Sequence, residues 1–351
     1  MPAPAFGLNR FDFGSVAAFA ADVRRAEELG WDHAFIPDSQ LRRRDTYVML
    51  AEAARATSRI RIGPLIANPV NRHISVTASS IATVDELAEG RALLGLGIGD
   101  TAVRLAGLRP ARVRELEEAT RLARALLRGE AVEVGARSPA RLPHARPVPV
   151  WIAAGGPRML RAAGRVADGV FIRVGTSPAN LEAAVEAVRA GAAEAGRDPG
   201  EVALGVVFHT VLVDEPERAL RIGRAMAAGY YEYSPTLFEA PGLGWDGPPV
   251  EELQQHVSPD FHHTPDLEGA GRLLDFLPSA AAEAFCLHGD AAGVTEQLTE
   301  LLRALPVFEV VVLHPVPDPG HEAPGAPPDY MGLVAREVLP RVRAALGDAG
   351  R

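Results

Sequence analysis

The stretch 60-IRIGPLIANPVNRHISVTASSIATVDELAEGRALLGLGIGD-100 decides how this chain is read. Ile60, Ile62, Leu65 and Ile66 make an apolar run bounded by Gly63, Pro64 and Pro69, the pattern of a buried strand. Residues 74–87 read as a helix, and residues 91–97 as a second apolar strand running into glycines and an acid. Strand, helix and strand within about forty residues make one βαβ crossover. Roughly four such units close an eight-stranded (β/α)8 TIM barrel. In parallel α/β folds chemistry collects at the carboxyl ends of strands, so residues 67–73 and 97–100 are expected to face one pocket.

The same rhythm runs outward in both directions. Further strands are expected at 6–10, 33–37, 148–153, 169–174, 201–213 and 308–314. Helices are expected at 15–29, with Ser15 as N-cap, and at 46–57, 113–127, 158–167, 178–195, 216–230, 267–277 and 290–303, and residues 330–346 close the chain. Two segments break the rhythm. Residues 129–147, rich in Pro, Gly and Ala, read as an insertion, and residues 231–266 as a long loop region with little helix. With no repeat and no clean boundary, residues 1–351 are read as a single barrel domain.

Composition excludes several classes. At 47% hydrophobic and 23% charged the chain can bury a large core, and no apolar run reaches the length of a membrane span. No signal segment precedes Phe6, so a cytoplasmic protein without membrane partners is expected. A net charge of -9 argues against nucleic acid, which demands concentrated positive charge. All 36 basic residues are arginine, which excludes a Schiff-base or P-loop lysine. The lone Cys286, between Phe285 and Leu287, reads as a buried apolar residue. The histidines show no metal-ligand spacing, so no metal is expected.

The run NPVNRHISVTASSIATVDELAEGRALLGLGIGD resembles the luciferase-like monooxygenase superfamily, and within it the methylenetetrahydromethanopterin reductase branch, which uses the deazaflavin coenzyme F420. WIAAGGPRMLRAAGRVADGVFIRVG (151–175) and AFCLHGDAAGVTEQLTELLRA (284–304) are similar to later parts of that family. The resemblance implies a luciferase-like barrel that binds F420, moves a hydride to or from a small organic substrate, and forms a homodimer. It further implies a non-prolyl cis peptide bond at Leu65–Ile66, against the deazaflavin ring, with Ala67 and Asn68 at the ring edge. Asn68 before Pro69 also suits an ordinary turn. Ala154, Gly155 and Gly156, between strand and helix, are implied as a phosphate cradle. Arg173 could meet a phosphate or the acidic tail, or simply pair with a neighbouring carboxylate.

Hydride transfer needs a donor carbon held against its acceptor and, for a C=N or C=O bond, a proton donor. Asp100, after Gly97 and Gly99, is the candidate acid; a carboxyl in an apolar mouth would be pushed toward its protonated form, and the alternative is a helix cap. Asp38 at the end of the second strand matches a family acid, and His73 could contact substrate. Asn9 departs from the reductases, which carry a glutamate near that place as a suspected proton relay; an amide has no proton to relay. His209 could point into the barrel mouth, and the Tyr and His content of 230–263 suits a substrate lid or a subunit interface. Arg42, Arg43 and Arg44 are either a site for the cofactor tail or a solvated loop. FMN in the same mouth with oxygen activation, or a noncatalytic flavin-binding barrel, are the other readings.

Overall fold

The computed structural model describes residues 3–9, 14–135, 137–317 and 329–347. Among the described residues nine strands are present: β1 Ala5–Asn9, β2 His33–Ile36, β3 Arg61–Pro64, β4 Leu94–Leu96, β5 Val150–Ala154, β6 Gly169–Ile172, β7 Ala203–Leu212, β8 Leu287–Gly289 and β9 Val310–Val316. Eight lie in the order β3-β2-β1-β9-β7-β6-β5-β4, and parallel bridges Ile62 to Ala92 and Ala67 to Leu96 join the two ends of that order. The ring therefore closes as the expected (β/α)8 barrel. Each expected strand appears within a few residues of its place; Arg10, at the end of the first, lies outside the described residues. The short β8, which the sequence reading did not include, pairs parallel with the last residues of β7.

The helices are α1 Val16–Glu28, α2 Thr46–Ala56, α3 Ile74–Leu87, α4 Thr101–Arg104, α5 Val113–Leu127, α6 Pro157–Val166, α7 Pro178–Glu194, α8 Pro216–Tyr233, α9 Val250–Leu253, α10 Leu267–Arg272, α11 Ser279–Phe285, α12 Ala291–Ala304, α13 Tyr330–Leu333 and α14 Leu339–Ala345. Ser15 caps α1 as expected, its hydroxyl accepting from the Ala18 N–H at 2.9 Å. The helix expected at 267–277 stops at Arg272, and α11 follows after Pro278. The closing helix is interrupted by a π turn at Val334–Val338. Pro340, in the first turn of α14, has no N–H to continue the ladder, which accounts for the break. No helix among the described residues is long and apolar enough to cross a membrane.

The chain divides into two compact units. The N-terminal unit is Gly7–Phe171 with Glu186–Gly205; the C-terminal unit is Ile172–Val185 and Val206–Arg351 with Met1–Phe6. In the N-terminal unit β3 is fixed at its start by side chains. The Glu27 carboxylate accepts the backbone N–H groups of Ser58, Arg59 and Ile60 at 3.0, 2.5 and 2.8 Å. Arg91 donates to the carbonyls of Ala54, Thr57 and Ile60, satisfying acceptors that the loop before β3 would otherwise bury unpaired. Phe171 packs on Phe35 and Trp151 at ring distances of 5.3 and 4.6 Å. In the C-terminal unit the core gathers Tyr230, Phe238 and Phe285, with Phe285 stacked on both of the others. Cys286 is buried beside them, its thiol donating to the Ala282 carbonyl, and burial raises its pKa.

Candidate active site

In the N-terminal unit the carboxyl ends of β2 and β3 carry a charged cluster. Asp38, two residues past β2, is 4% exposed. Its carboxylate receives Arg72 Nη1 at 2.5 Å, while Arg72 Nη2 reaches Asp45 at 2.6 Å and the guanidinium lies 5.2 Å from the Tyr47 ring centre. Asp45 caps α2 through the N–H groups of Tyr47 and Val48. Burial works to raise the Asp45 pKa, but these N–H groups and Arg72 outweigh it and hold the carboxyl below its ordinary range. Arg72 was not among the residues singled out from sequence. Its signal was its place, directly before His73 in the loop that follows β3, with two aspartates upstream.

The Leu65–Ile66 peptide bond is cis, as the resemblance implied. The chain leaves β3 held on both sides: Leu65 N–H donates to the Ile36 carbonyl at 2.9 Å, and Ala67 N–H to that of Gly95 at 2.9 Å. Gly97 N–H returns to the Ala67 carbonyl at 2.9 Å. A Cβ on Gly97 would stand 1.9 Å from Ile66 Cδ1, so only glycine lets Ile66 lie where it does. Gly99 has φ +74°, a region glycine favours. Asn68, 3% exposed, accepts from the N–H groups of Val70 and Asn71 at 3.0 and 2.9 Å. It therefore makes the turn that its place before proline allowed, and its Nδ2 donor is unused among the described residues.

Asp100 sits at the N-cap of α4 without a side-chain cap bond. Its Oδ1 receives Arg104 Nε at 2.6 Å, and its side chain is 33% exposed. It faces an arginine rather than the apolar surroundings expected from sequence. His73 caps α3: Nδ1 accepts from the Ser75 N–H and lies 2.7 Å from the Ser75 hydroxyl. Ala154 ends β5 in the buried layer, Gly155 follows, and Gly156 is the N-cap of α6, with open space where its Cβ would be.

These residues fit a flavin-like group on two observations. The buried Ser39 hydroxyl, beside Asp38, has no hydrogen-bond partner among the described residues. The glycine turn before α6 leaves room for close approach to backbone N–H groups.

The C-terminal unit holds a second cluster. Arg173 directly follows β6, and its Nη2 lies 3.1 Å from His209 Nε2 and 3.5 Å from His262 Nδ1. His262 Nε2 lies 2.9 Å from the Met226 carbonyl, so Nε2 carries the proton and Nδ1 accepts from Arg173. Burial, then the charge of Arg173 and the neighbouring His263, keep His262 well below its ordinary pKa. His209 also meets Tyr230 at 5.5 Å and His314 at 4.9 Å. Asp260 accepts from His263 at 2.7 Å and from the backbone N–H groups of His262 and His263. His209, Arg173 and the 230–263 segment were singled out separately from sequence. Their convergence, and the part played by Tyr230 and His314, came only with the fold. Among the described residues no group of His, Cys, Asp and Glu could hold a metal ion.

The luciferase-like monooxygenase family profile matches residues 9–307. The chain belongs to the luciferase-like monooxygenase family. The 5,10-methylenetetrahydromethanopterin reductase of Archaeoglobus fulgidus is 30% identical over 335 residues, covering 92% of this chain and 94% of the reductase. The solved coenzyme F420 dependent tetrahydromethanopterin reductase of Methanopyrus kandleri superposes with TM-score 0.75 at 27% identity, over 97% of this chain and 100% of that one. A neighbour of another kind shares the fold alone at 17% identity and TM-score 0.63, over 96% and 98% of the two chains. It is the oxygenating constituent of 3,6-diketocamphane monooxygenase from Pseudomonas putida, in complex with FMN.

Proposed function

We propose that this chain is an F420-dependent oxidoreductase that moves a hydride between the deazaflavin and a small organic substrate bearing a C=N, C=C or C=O bond. The observation that carries the reading is the likeness to methylenetetrahydromethanopterin reductases, which extends over nearly the whole of both chains. Leu65, Ile66, Ala67 and Asn68 would hold the ring, with Asp38 and Ser39 at the end of β2 and Gly97 and Gly99 keeping the floor open. Ala154, Gly155 and Gly156 would hold a phosphate at the start of α6. When bound, the cofactor supplies a two-electron, hydride-level couple.

The protein's own tasks are to orient, to exclude water and to place a proton. Arg72 holds the Asp38 carboxylate in one position. Asp100 keeps one oxygen on Arg104 and offers the other, partly exposed, as the proton-handling group. His73 caps α3 through Nδ1 and keeps Nε2 for a substrate contact. Asn9, 4% exposed at the end of β1, offers no acid there, which favours a substrate other than methylenetetrahydromethanopterin. The enzyme is proposed to act in the cytoplasm as a homodimer.

FMN in the same mouth is the second reading, favoured by the FMN-bound neighbour of the same fold. Titration of the purified apoprotein with F420 and with FMN, oxidised and reduced, separates the two. F420 should bind about a hundredfold more tightly, a gap of ~2.7 kcal/mol. The opposite preference overturns the deazaflavin assignment and directs the work to oxygen consumption with reduced FMN.

A further inference from the structure

Arg173 is a half-buried cation whose hydrogen-bond partners are neutral. One imidazole nitrogen of His209 and one of His262 accept from the same terminal nitrogen, Nη2. Among the described residues no carboxylate pairs with it. The carboxylate on the His262 segment, Asp260, is occupied by His263 and by two backbone N–H groups. A guanidinium withdrawn from water without a counter-charge is costly, and such a group is kept where an anion completes it. The two histidines fix one edge of the fork, since the Met226 carbonyl dictates the His262 tautomer. The guanidinium's other N–H donors, beside the Tyr230 hydroxyl, form the planar array that matches two oxygens of a carboxylate or a phosphate.

We propose that Arg173, held by His209 and His262 in the C-terminal unit, is the receptor for an oxyanion of the enzyme's ligand, a carboxylate or a phosphate. The inference rests on the oxidoreductase reading only for the identity of that ligand. An oxyanion of the organic substrate would make the substrate an acid; the alternative source is the cofactor's own phosphate or carboxylates. In either case the histidines are positioning residues that aim the arginine.

The test is calorimetric titration with inorganic phosphate and with benzoate at constant ionic strength, on the wild-type protein and on Arg173→Gln and Arg173→Lys. Wild type should bind one equivalent, Arg173→Gln at least roughly tenfold more weakly, and Arg173→Lys in between, because a point charge replaces the fork. Equal binding by wild type and Arg173→Gln overturns the proposal. So does the absence of any saturable rise in wild-type melting temperature with phosphate relative to chloride, a measurement that needs no variant. The source follows from F420 and from its chromophore lacking phosphate and tail. If Arg173→Gln weakens F420 and not the bare chromophore, the oxyanion belongs to the cofactor. If it weakens benzoate binding to the F420-loaded protein and not F420 itself, the oxyanion belongs to the substrate. Failure of F420 to bind wild type would sink the oxidoreductase reading while leaving the anion measurement intact.

Discussion

Arg72, in the N-terminal unit, neutralises an aspartate that is almost wholly buried. Removing one partner of such a pair leaves an uncompensated charge out of water. Arg72→Met should therefore lose about 3 kcal/mol of stability in urea denaturation, and the double variant with Asp38→Asn should recover part of it. Recovery of nothing would show that Arg72 acts through packing on Tyr47 instead. A second single-residue effect concerns His33, stacked on Phe35 at the start of β2. Burial, reinforced by the Arg61 charge, pushes its pKa from 6.5 down to about 3. Between those values the unfolded chain binds a proton that the folded chain refuses, so stability is full above 6.5 and is lost on acidification. The loss is at most about 1.4 kcal/mol per pH unit for one such group. Denaturation midpoints measured from pH 7 to 4 should fall, and His33→Gln should flatten the slope without abolishing it, since His262 is shifted the same way.

At the scale of elements, the seam between β3 and β4, within the N-terminal unit, would be the floor of the proposed cofactor site. Ile66 lies across Gly97, and a methyl group there would collide with its Cδ1. Gly97→Ala should displace Ile66, cost about 1–3 kcal/mol as overpacking does, and weaken cofactor binding more than a surface change of equal stability cost. Unchanged affinity in a folded Gly97→Ala protein would remove the floor from the proposed cofactor site. The sequence made this seam legible, because two apolar strands flanking a helix can be read from periodicity alone. It gave no access to the hydrogen bonds of Asp100 or His73. Arg104, four residues on, takes the Asp100 carboxylate, and the cap of α3 takes His73 Nδ1; both depend on local conformation at a loop-to-helix junction. The helix α11 was missed because SAAAEAF lacks the apolar contrast that marks a helical face, and β8 because a three-residue strand exists only by pairing with β7.

For the molecule as a whole, cofactor binding and folding are linked. A ligand that binds only the folded chain stabilises it by about 2.7 kcal/mol at a hundredfold excess over its dissociation constant. F420 should therefore raise the melting temperature in a saturable manner, and FMN at the same concentration should raise it far less; equal shifts would argue against discrimination between the two.

The alternation of apolar runs and amphipathic stretches determined the barrel, because strands buried on both faces and helices buried on one leave different periods in a sequence. The motif runs determined the family; of the glycines they carry, Gly97 has no room for a side chain and Gly99 holds a positive φ, whereas Gly156 has open space around it. Only the tertiary structure decided which polar side chains meet. Arg72 joins aspartates 34 and 27 positions before it, and Arg173 joins histidines 36 and 89 positions after it. Such pairings carry no local period. They are fixed by the packing that brings distant strand ends and loops together, and the free energy of burying a charge then selects the partner.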